Sequence, residues 1–216
     1  LKYTVFCDFD GTITLNDTCV ELTRKYARDG WQEIERLWKE GRYSAAQLSQ
    51  MILDLIEIDE PELESFARSM EIDPNFKRFA QLMESRGADI YIVSDGYDKL
   101  IEPVLSENGL LHIRYYANSI VFENGGMKAY FPNNNPDCGS CGNCKTDIID
   151  GLKECGSTSI YIGDGYSDRC ASKNGDIVFA KRDLAVLLGK QGKEFVPFED
   201  FSDIIRYVDE NIMDMK

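Results

Sequence analysis

The chain has 216 residues, 43% hydrophobic and 29% charged, a balance that supports a packed core and excludes a disordered protein. A formal charge of −14 and a pI near 4.5 argue against nucleic acid as a partner, because phosphate backbones demand clustered Lys and Arg. No apolar run approaches the roughly 20 residues that span a bilayer. The reading is a soluble, cytoplasmic protein with no membrane partner.

The chain starts at Leu1 and opens directly on a strand-like stretch, Tyr3 to Cys7, with no charged leader before it. Three further short apolar runs read as strands: Asp89 to Val93, Ser159 to Ile162, and Ile177 to Ala180. None alternates cleanly, as expected of strands buried on both faces of a parallel sheet. Helical patterns at Lys99 to Glu107, Lys145 to Glu154 and Asp168 to Lys173 separate them. Strand and helix in alternation predict an α/β fold with a doubly wound, Rossmann-like parallel sheet. Phe195-Val196-Pro197 reads as an edge strand, where Pro is tolerated, and Phe201 to Ile212 as a closing helix.

Two insertions interrupt the rhythm. The first, about residues 16–75, reads as helical segments punctuated by Gly30, Gly41 and Pro61. Trp31, Ile34, Leu37 and Trp38 share one helical face, expected to turn inward in a small bundle. The second, about residues 115–131, reads as a β-hairpin turning at Asn124-Gly125-Gly126. The expected domain plan is a catalytic core of residues 1–15 and 76–216 with a helical cap of residues 16–75.

Ligands of open α/β sheets sit beyond the carboxyl ends of the strands. Here those ends read Asp8-Phe9-Asp10-Gly11-Thr12, Ser94-Asp95-Gly96, and Gly163-Asp164-Gly165-Tyr166-Ser167-Asp168. Asp8 and Asp10 stand two apart, so in extended backbone they share a face. Two close carboxylates push their pKa values apart unless a cation intervenes, leaving one ionised and one protonated. The spacing fits neither an EF-hand, whose fifth, sixth and twelfth positions would be Thr12, Ile13 and Cys19, nor a dinucleotide fingerprint, whose third glycine is Asp168. The bland alternatives are Ser94 and Asp168 as helix N-caps and Lys145 as a solvated helix end.

At these residues the chain resembles the haloacid dehalogenase phosphatases. Asp8-Phe9-Asp10-Gly11-Thr12-Ile13-Thr14 looks like their motif I, Ser94 their motif II, Lys145 motif III, and Gly163-Asp164 with Asp168 motif IV. The helical insertion matches the position of their C1 cap. The resemblance implies Asp8 as nucleophile and Asp10 as acid/base. It also implies Ser94 and Lys145, with Asp95 and Gly96, around the phosphoryl oxygens. Mg²⁺ would be held by Asp8, the Asp10 carbonyl and Asp164, with Asp168 supporting the metal waters or Lys145. The substrate class so implied is a small-molecule phosphate ester.

Within that superfamily the chain is most similar to the methionine-salvage branch, which hydrolyses 2-hydroxy-3-keto-5-methylthiopentenyl-1-phosphate. The features are the motif I run, a Cys-rich segment ending in Cys-Lys, and Phe179-Ala180-Lys181-Arg182-Asp183. Phosphoserine phosphatases grip the substrate carboxylate with a cap Arg, where this chain has apolar Ile52. Phosphoserine and phosphocholine phosphatases, a phosphotransferase or phosphonatase, and a non-catalytic metal- and phosphate-binding regulatory domain are the alternatives. Asp17 and Tyr43 are the candidate selectivity residues of the cap.

Seven cysteines include four scattered ones, which is no disulfide framework of a secreted domain. Cys138, Cys141 and Cys144 form two overlapping Cys-x-x-Cys pairs just before Lys145. Zn²⁺ binding, a disulfide and free thiols are all compatible with that spacing. Nothing in the sequence bears on oligomeric state.

Overall fold

A computed structural model describes residues 2–137 and 141–212. Seven strands form one sheet in the order β4-β3-β2-β1-β5-β6-β7, parallel throughout except for the β3–β4 pair. They are β1 (Tyr3–Cys7), β2 (Asp89–Tyr97), β3 (Arg114–Glu123), β4 (Gly126–Tyr130), β5 (Thr158–Gly163), β6 (Ile177–Ala180) and β7 (Val196–Pro197). All four expected strands and the edge strand are present. The strand order runs outward from β1 in both directions, which leaves the carboxyl ends of β1, β2 and β5 around one crevice.

Every residue of β1 is buried, and its side chains alternate between two cores. Val5 and Cys7 face α5 (Phe76–Ser85) and α9 (Phe201–Asn211), where Phe76 and Phe201 meet edge to face at 4.9 Å. Phe6 faces α7 (Lys145–Leu152) and α8 (Arg182–Lys190), which contribute Ile148, Ile149, Leu184 and Leu188. Full burial of each such side chain stabilises by about 1.5–3 kcal/mol. The central strand is therefore held from both sides, and so is the loop that follows it.

The segment after that loop is helical as expected: α1 (Thr18–Tyr26), α2 (Trp31–Lys39), α3 (Ala45–Leu53) and α4 (Glu60–Arg68). Asp17, Ser44 and Asp59 cap α1, α3 and α4 by accepting from Val20 N, Gln47 N and Glu62 N. Pro61 lies in the first turn of α4, where its missing N–H costs nothing. A third core joins Leu22, Leu53, Leu63 and Phe66 to Leu100 of α6 (Asp98–Glu107) and to Ile120 and Met127 of the β3–β4 ladder. The two chain passages into this region run side by side. Thr14 and Ile72 form an antiparallel bridge, flanked by Leu15 N to Glu71 O at 3.0 Å and Asp73 N to Ile13 O at 2.8 Å.

Four expectations need correction. The hairpin turns at Asn124 and Gly125, both at positive φ, yet it is no separate insertion. Arg114, Tyr115 and Tyr116 pair with Tyr91, Ile92 and Val93 before β3 turns back, so the hairpin is the edge of the main sheet. The expected helix at Asp168 to Lys173 is two single 3-10 turns, Tyr166–Arg169 and Ala171–Asn174, because Asp168 folds back on the preceding loop. No residue of α2 is fully buried, so its tryptophans face no bundle interior. Finally, β2 continues through Ser94, Asp95 and Gly96 to Tyr97, past the turn expected after Val93. Among the described residues, no helix is long and apolar enough to cross a membrane.

Candidate active site

The loop after β1 is wound tightly on one carbonyl. Thr12, Ile13 and Thr14 all donate their N–H to Phe9 O, at 2.9–3.3 Å. Gly11 permits this at φ +73°, and a Cβ there would come within 2.6 Å of Asp164 Oδ2. The loop separates the two acids. Asp8 points to the floor of the crevice and is 4% exposed, while half-buried Asp10 points to the opposite wall.

On the floor, Lys145 Nζ lies 2.7 Å from Asp8 Oδ1 and 2.6 Å from Asp168 Oδ1. It is 3% exposed, so the solvated-helix-end alternative fails. Asp168 is fully engaged: Oδ1 accepts from Lys145 and from Tyr161 Oη at 2.5 Å, and Oδ2 accepts from the N–H groups of Asp164 and Gly165 at 3.0 Å. It thus orients Lys145 and folds the Gly163–Gly165 turn, and it caps no long helix. Asp164 Oδ1 accepts from Thr12 Oγ1, and Oδ2 from Arg182 Nη1, both at 3.1 Å.

On the opposite wall, Asp10 Oδ1 accepts from Thr18 N at 2.9 Å and Thr18 Oγ1 at 2.5 Å. Its Oδ2 accepts from Ser94 Oγ at 3.3 Å. Ser94 Oγ in turn accepts from Gly96 N at 2.9 Å, and α6 takes Tyr97 as its N-cap residue without a side-chain cap, so Ser94 caps nothing. Gly96 is required by contact: a Cβ there would collide with Asp10 Oδ2.

Burial sets the electrostatics. It raises Asp8 well above the usual carboxylate range, reinforced by negative Asp168 and opposed by Lys145. Burial and the neighbouring Asp17 charge push Asp10 up to about 7. Burial also raises Asp95 and, together with Asp168, Asp164. For Lys145, burial alone would lower the pKa, but the carboxylates of Asp168 and Asp8 overcome it and hold the ammonium charged.

Ligand oxygens of Asp8, Asp164 and Asp168 lie within 4.8 Å of one another. An all-oxygen donor set of this kind suits a hard divalent ion such as Mg²⁺. Asp8 and Asp164 line the crevice while Asp168 is fully buried behind them, so Asp8 and Asp164 are the direct donors that fit best. A second group, Asp10, Asp17 and Cys19, also comes within 4.8 Å. Neither group contains Cys141 or Cys144. Cys138 lies outside the described residues; Cys141 borders the crevice, and Cys144 precedes α7, its N–H on Asn133 O at 2.9 Å. His112 is on the surface against Glu84.

Above the acids the crevice opens to about 800 Å³. Val20, Trp31, Trp38, Leu48, Ile52 and Ile56 give its upper wall an apolar character, broken by Asp17, Glu35 and Ser49. Asp17 is thus at the crevice as expected, whereas Tyr43 is half-buried outside its lining. Sequence reasoning assigned no role to Tyr161, Thr12, Thr18, Arg182 or Asn143. A phenol between Ile160 and Ile162 in a buried strand was the available signal for Tyr161. Arg182, at φ +47°, straps Gly11 O, Leu15 O and Asp164 with one guanidinium.

Comparison with known proteins agrees with this geometry. Residues 5–173 match the model of the haloacid dehalogenase-like hydrolase family. A 2-hydroxy-3-keto-5-methylthiopentenyl-1-phosphate phosphatase of Bacillus velezensis is 31% identical over 208 residues, covering 93% of this chain and 87% of the relative. The enzyme of that name from Bacillus mycoides is 30% identical over 205 residues, covering 93% of each. A substrate-bound phosphoserine phosphatase complex superposes with a TM-score of 0.72 at 18% identity, over 96% of this chain and 98% of that one. That likeness speaks to the fold. The motif resemblance is borne out: the chain belongs to the haloacid dehalogenase-like hydrolases, among their phosphatases, and is an enzyme.

Proposed function

We propose that this chain is a Mg²⁺-dependent phosphomonoesterase that works through an aspartyl-phosphate on Asp8. One observation carries the reading: a buried carboxylate paired with a buried ammonium on the floor faces a second carboxyl group, pushed by burial up to about 7, on the wall. In the first step an Asp8 oxygen attacks phosphorus, the bond to the alcohol oxygen breaks, and that oxygen takes the proton of Asp10. In the second, ionised Asp10 takes a proton from water, the water oxygen attacks phosphorus, and the bond to Asp8 breaks to release phosphate. Ser94 Oγ and Lys145 hold phosphoryl oxygens throughout, and Gly96 N–H steadies Ser94 Oγ. Asp8, Asp164 and the Asp10 carbonyl would hold Mg²⁺, whose charge neutralises the phosphate toward an anionic nucleophile.

Residues 16–75 act as a cap over a core of residues 1–15 and 76–216, and its lining selects the leaving group. The names of the relatives and the apolar wall around Ile52 favour 2-hydroxy-3-keto-5-methylthiopentenyl-1-phosphate, whose methylthio end is uncharged. A phosphoserine carboxylate would meet Asp17 and Glu35 there, with no Arg or Lys from α1–α4 in the lining. Zinc at the cysteine cluster has no support in the metal-ready groups among the described residues.

The test is phosphate release from that ester, from phosphoserine and from an aryl phosphate, with Mg²⁺ and with chelator, in wild type and Asp8→Asn. Mg²⁺-dependent release that vanishes in the variant is expected. Retained turnover in a folded Asp8→Asn protein would move the nucleophile elsewhere.

A further inference from the structure

The strand that carries Ser94 is broken where its chemistry is. Val93 pairs with Tyr116 and Tyr97 with Asn118, so four steps along β2 face two along β3. Ser94, Asp95 and Gly96 form this bulge, which sets Ser94 Oγ at the crevice, with Gly96 N–H donating to it at 2.9 Å. A bulge leaves backbone groups without ladder partners, and these are buried, so something else must satisfy them.

Two asparagines do so. Asn143, fully buried, donates from Nδ2 to Ser94 O at 2.7 Å and to Tyr116 O at 3.0 Å, bridging both strands across the gap. Its own N–H goes to Asp95 Oδ1 at 2.8 Å. Asn118, 2% exposed, donates from Nδ2 to Asp95 O at 2.7 Å. The clamp therefore engages Asp95 at its carbonyl and at one carboxylate oxygen. The Oδ1 atoms of Asn118 and Asn143 accept nothing from any described residue. Each amide is kept buried for its donors, at the expense of its acceptor.

Asn143 also stands two residues before Lys145, whose N–H donates to Asn143 O at 3.0 Å. One residue, through its side chain and its carbonyl, thereby ties the bulge, the neighbouring strand and the start of α7 together. We propose that Asn143, assisted by Asn118, is a positioning residue for the phosphate cradle. It replaces the missing ladder and sets the convergence of Ser94 Oγ and Lys145. The proposal rests on the phosphomonoesterase reading above.

Asn143→Ala and Asn143→Asp test it, with inorganic phosphate as the probe. The inhibition constant of phosphate and the KM for an aryl phosphate should rise about tenfold or more, and kcat should fall about 100-fold, the scale of a 1 Å misplacement. The Mg²⁺ dissociation constant of the free enzyme, measured by calorimetry, should change less than about twofold, because Asp8 and Asp164 follow other strands, β1 and β5. Phosphate and Mg²⁺ binding weakening in parallel would mean a merely structural role and overturn the proposal. A folded variant with unchanged phosphate inhibition and kcat would also overturn it. Should neither variant fold, Asn118→Ala removes only the bond to Asp95. A smaller split, about three- to tenfold, is expected there, and its absence counts against the clamp. Failure of the wild type to bind phosphate or release it from any ester would instead sink the phosphomonoesterase reading.

Discussion

The floor and the roof of the crevice are built on opposite plans. On the floor, Asp8, Lys145, Asp168 and Tyr161 are each almost wholly buried and bonded to one another at 2.5–2.7 Å. On the roof, Trp31, Trp38, Leu48 and Ile52 are half-exposed apolar side chains on helices that contribute few buried residues. A charge network in low dielectric tolerates one arrangement, since each member is costly without its partners. An apolar wall tolerates many substitutions of similar volume. The floor is thus suited to fix the reaction, and the roof to vary the substrate.

Lys145→Ala strikes the floor hardest. It leaves Asp8 and Asp168 buried without their cation, and breaking a buried pair in this way costs about 3–5 kcal/mol. Turnover should be lost, and the denaturant midpoint should fall markedly at pH 7.5. A variant as stable as wild type would show that the two carboxylates share the site without help.

Asp10→Asn should be less severe, because Thr18 and Ser94 can still bond an amide. Loss of leaving-group protonation is expected to lower kcat by about 100- to 10,000-fold for an alkyl ester. Esters of acidic phenols, which leave without a proton, should suffer much less. Equal losses across leaving groups would remove Asp10 from the acid role.

This contrast also explains what was legible in the sequence. Asp8, Asp10, Ser94, Lys145, Asp164 and Asp168 come together as expected, because each lies in or beyond the carboxyl half of a strand, or opens a helix, whose pattern is local. Tyr161, Asn143 and Arg182 were missed because their partners lie 7 to 171 residues away and no period announces them. The bulge in β2 escaped for a related reason: Ser94-Asp95-Gly96 has good turn chemistry, and only pairing to β3 turns it into strand. Helix α8 was passed over although Leu184 and Leu188 stand at the i, i+4 spacing. On the roof, the Trp31–Trp38 stripe was correctly periodic, but period gives a face and not what the face meets.

The roof is probed by Ile52→Arg. Placing a cation in the apolar wall should lower kcat/KM for the methylthio ester by about tenfold and raise that for phosphoserine, the reverse of the wild-type order. Hydrolysis of an aryl phosphate should scarcely change if the floor is independent of the roof. A parallel loss on all three esters would mean that the two regions are mechanically coupled.

The smallest expected effect concerns stability and separates the regions by titration alone. In the metal-free enzyme Asp10 titrates near 7, against 3.8 for an ordinary aspartate, so between those values the folded state holds a proton that the unfolded chain lacks. Stability contributed by that proton is therefore gained as pH falls through about 7 and lost as pH rises through it. From pH 7.5 to 5.5 the gain from Asp10 is about 2 kcal/mol, or about 4–8 °C in the thermal midpoint of a chain this size. The raised values of Asp8 and Asp164 act in the same direction. Asp10→Asn should flatten the slope, whereas Ile52→Ala on the roof should shift the whole curve without changing its shape. A metal-free midpoint that falls on acidification over this range would show that the crevice acids are ionised when the protein folds, and that Lys145 and Arg182 relieve their repulsion.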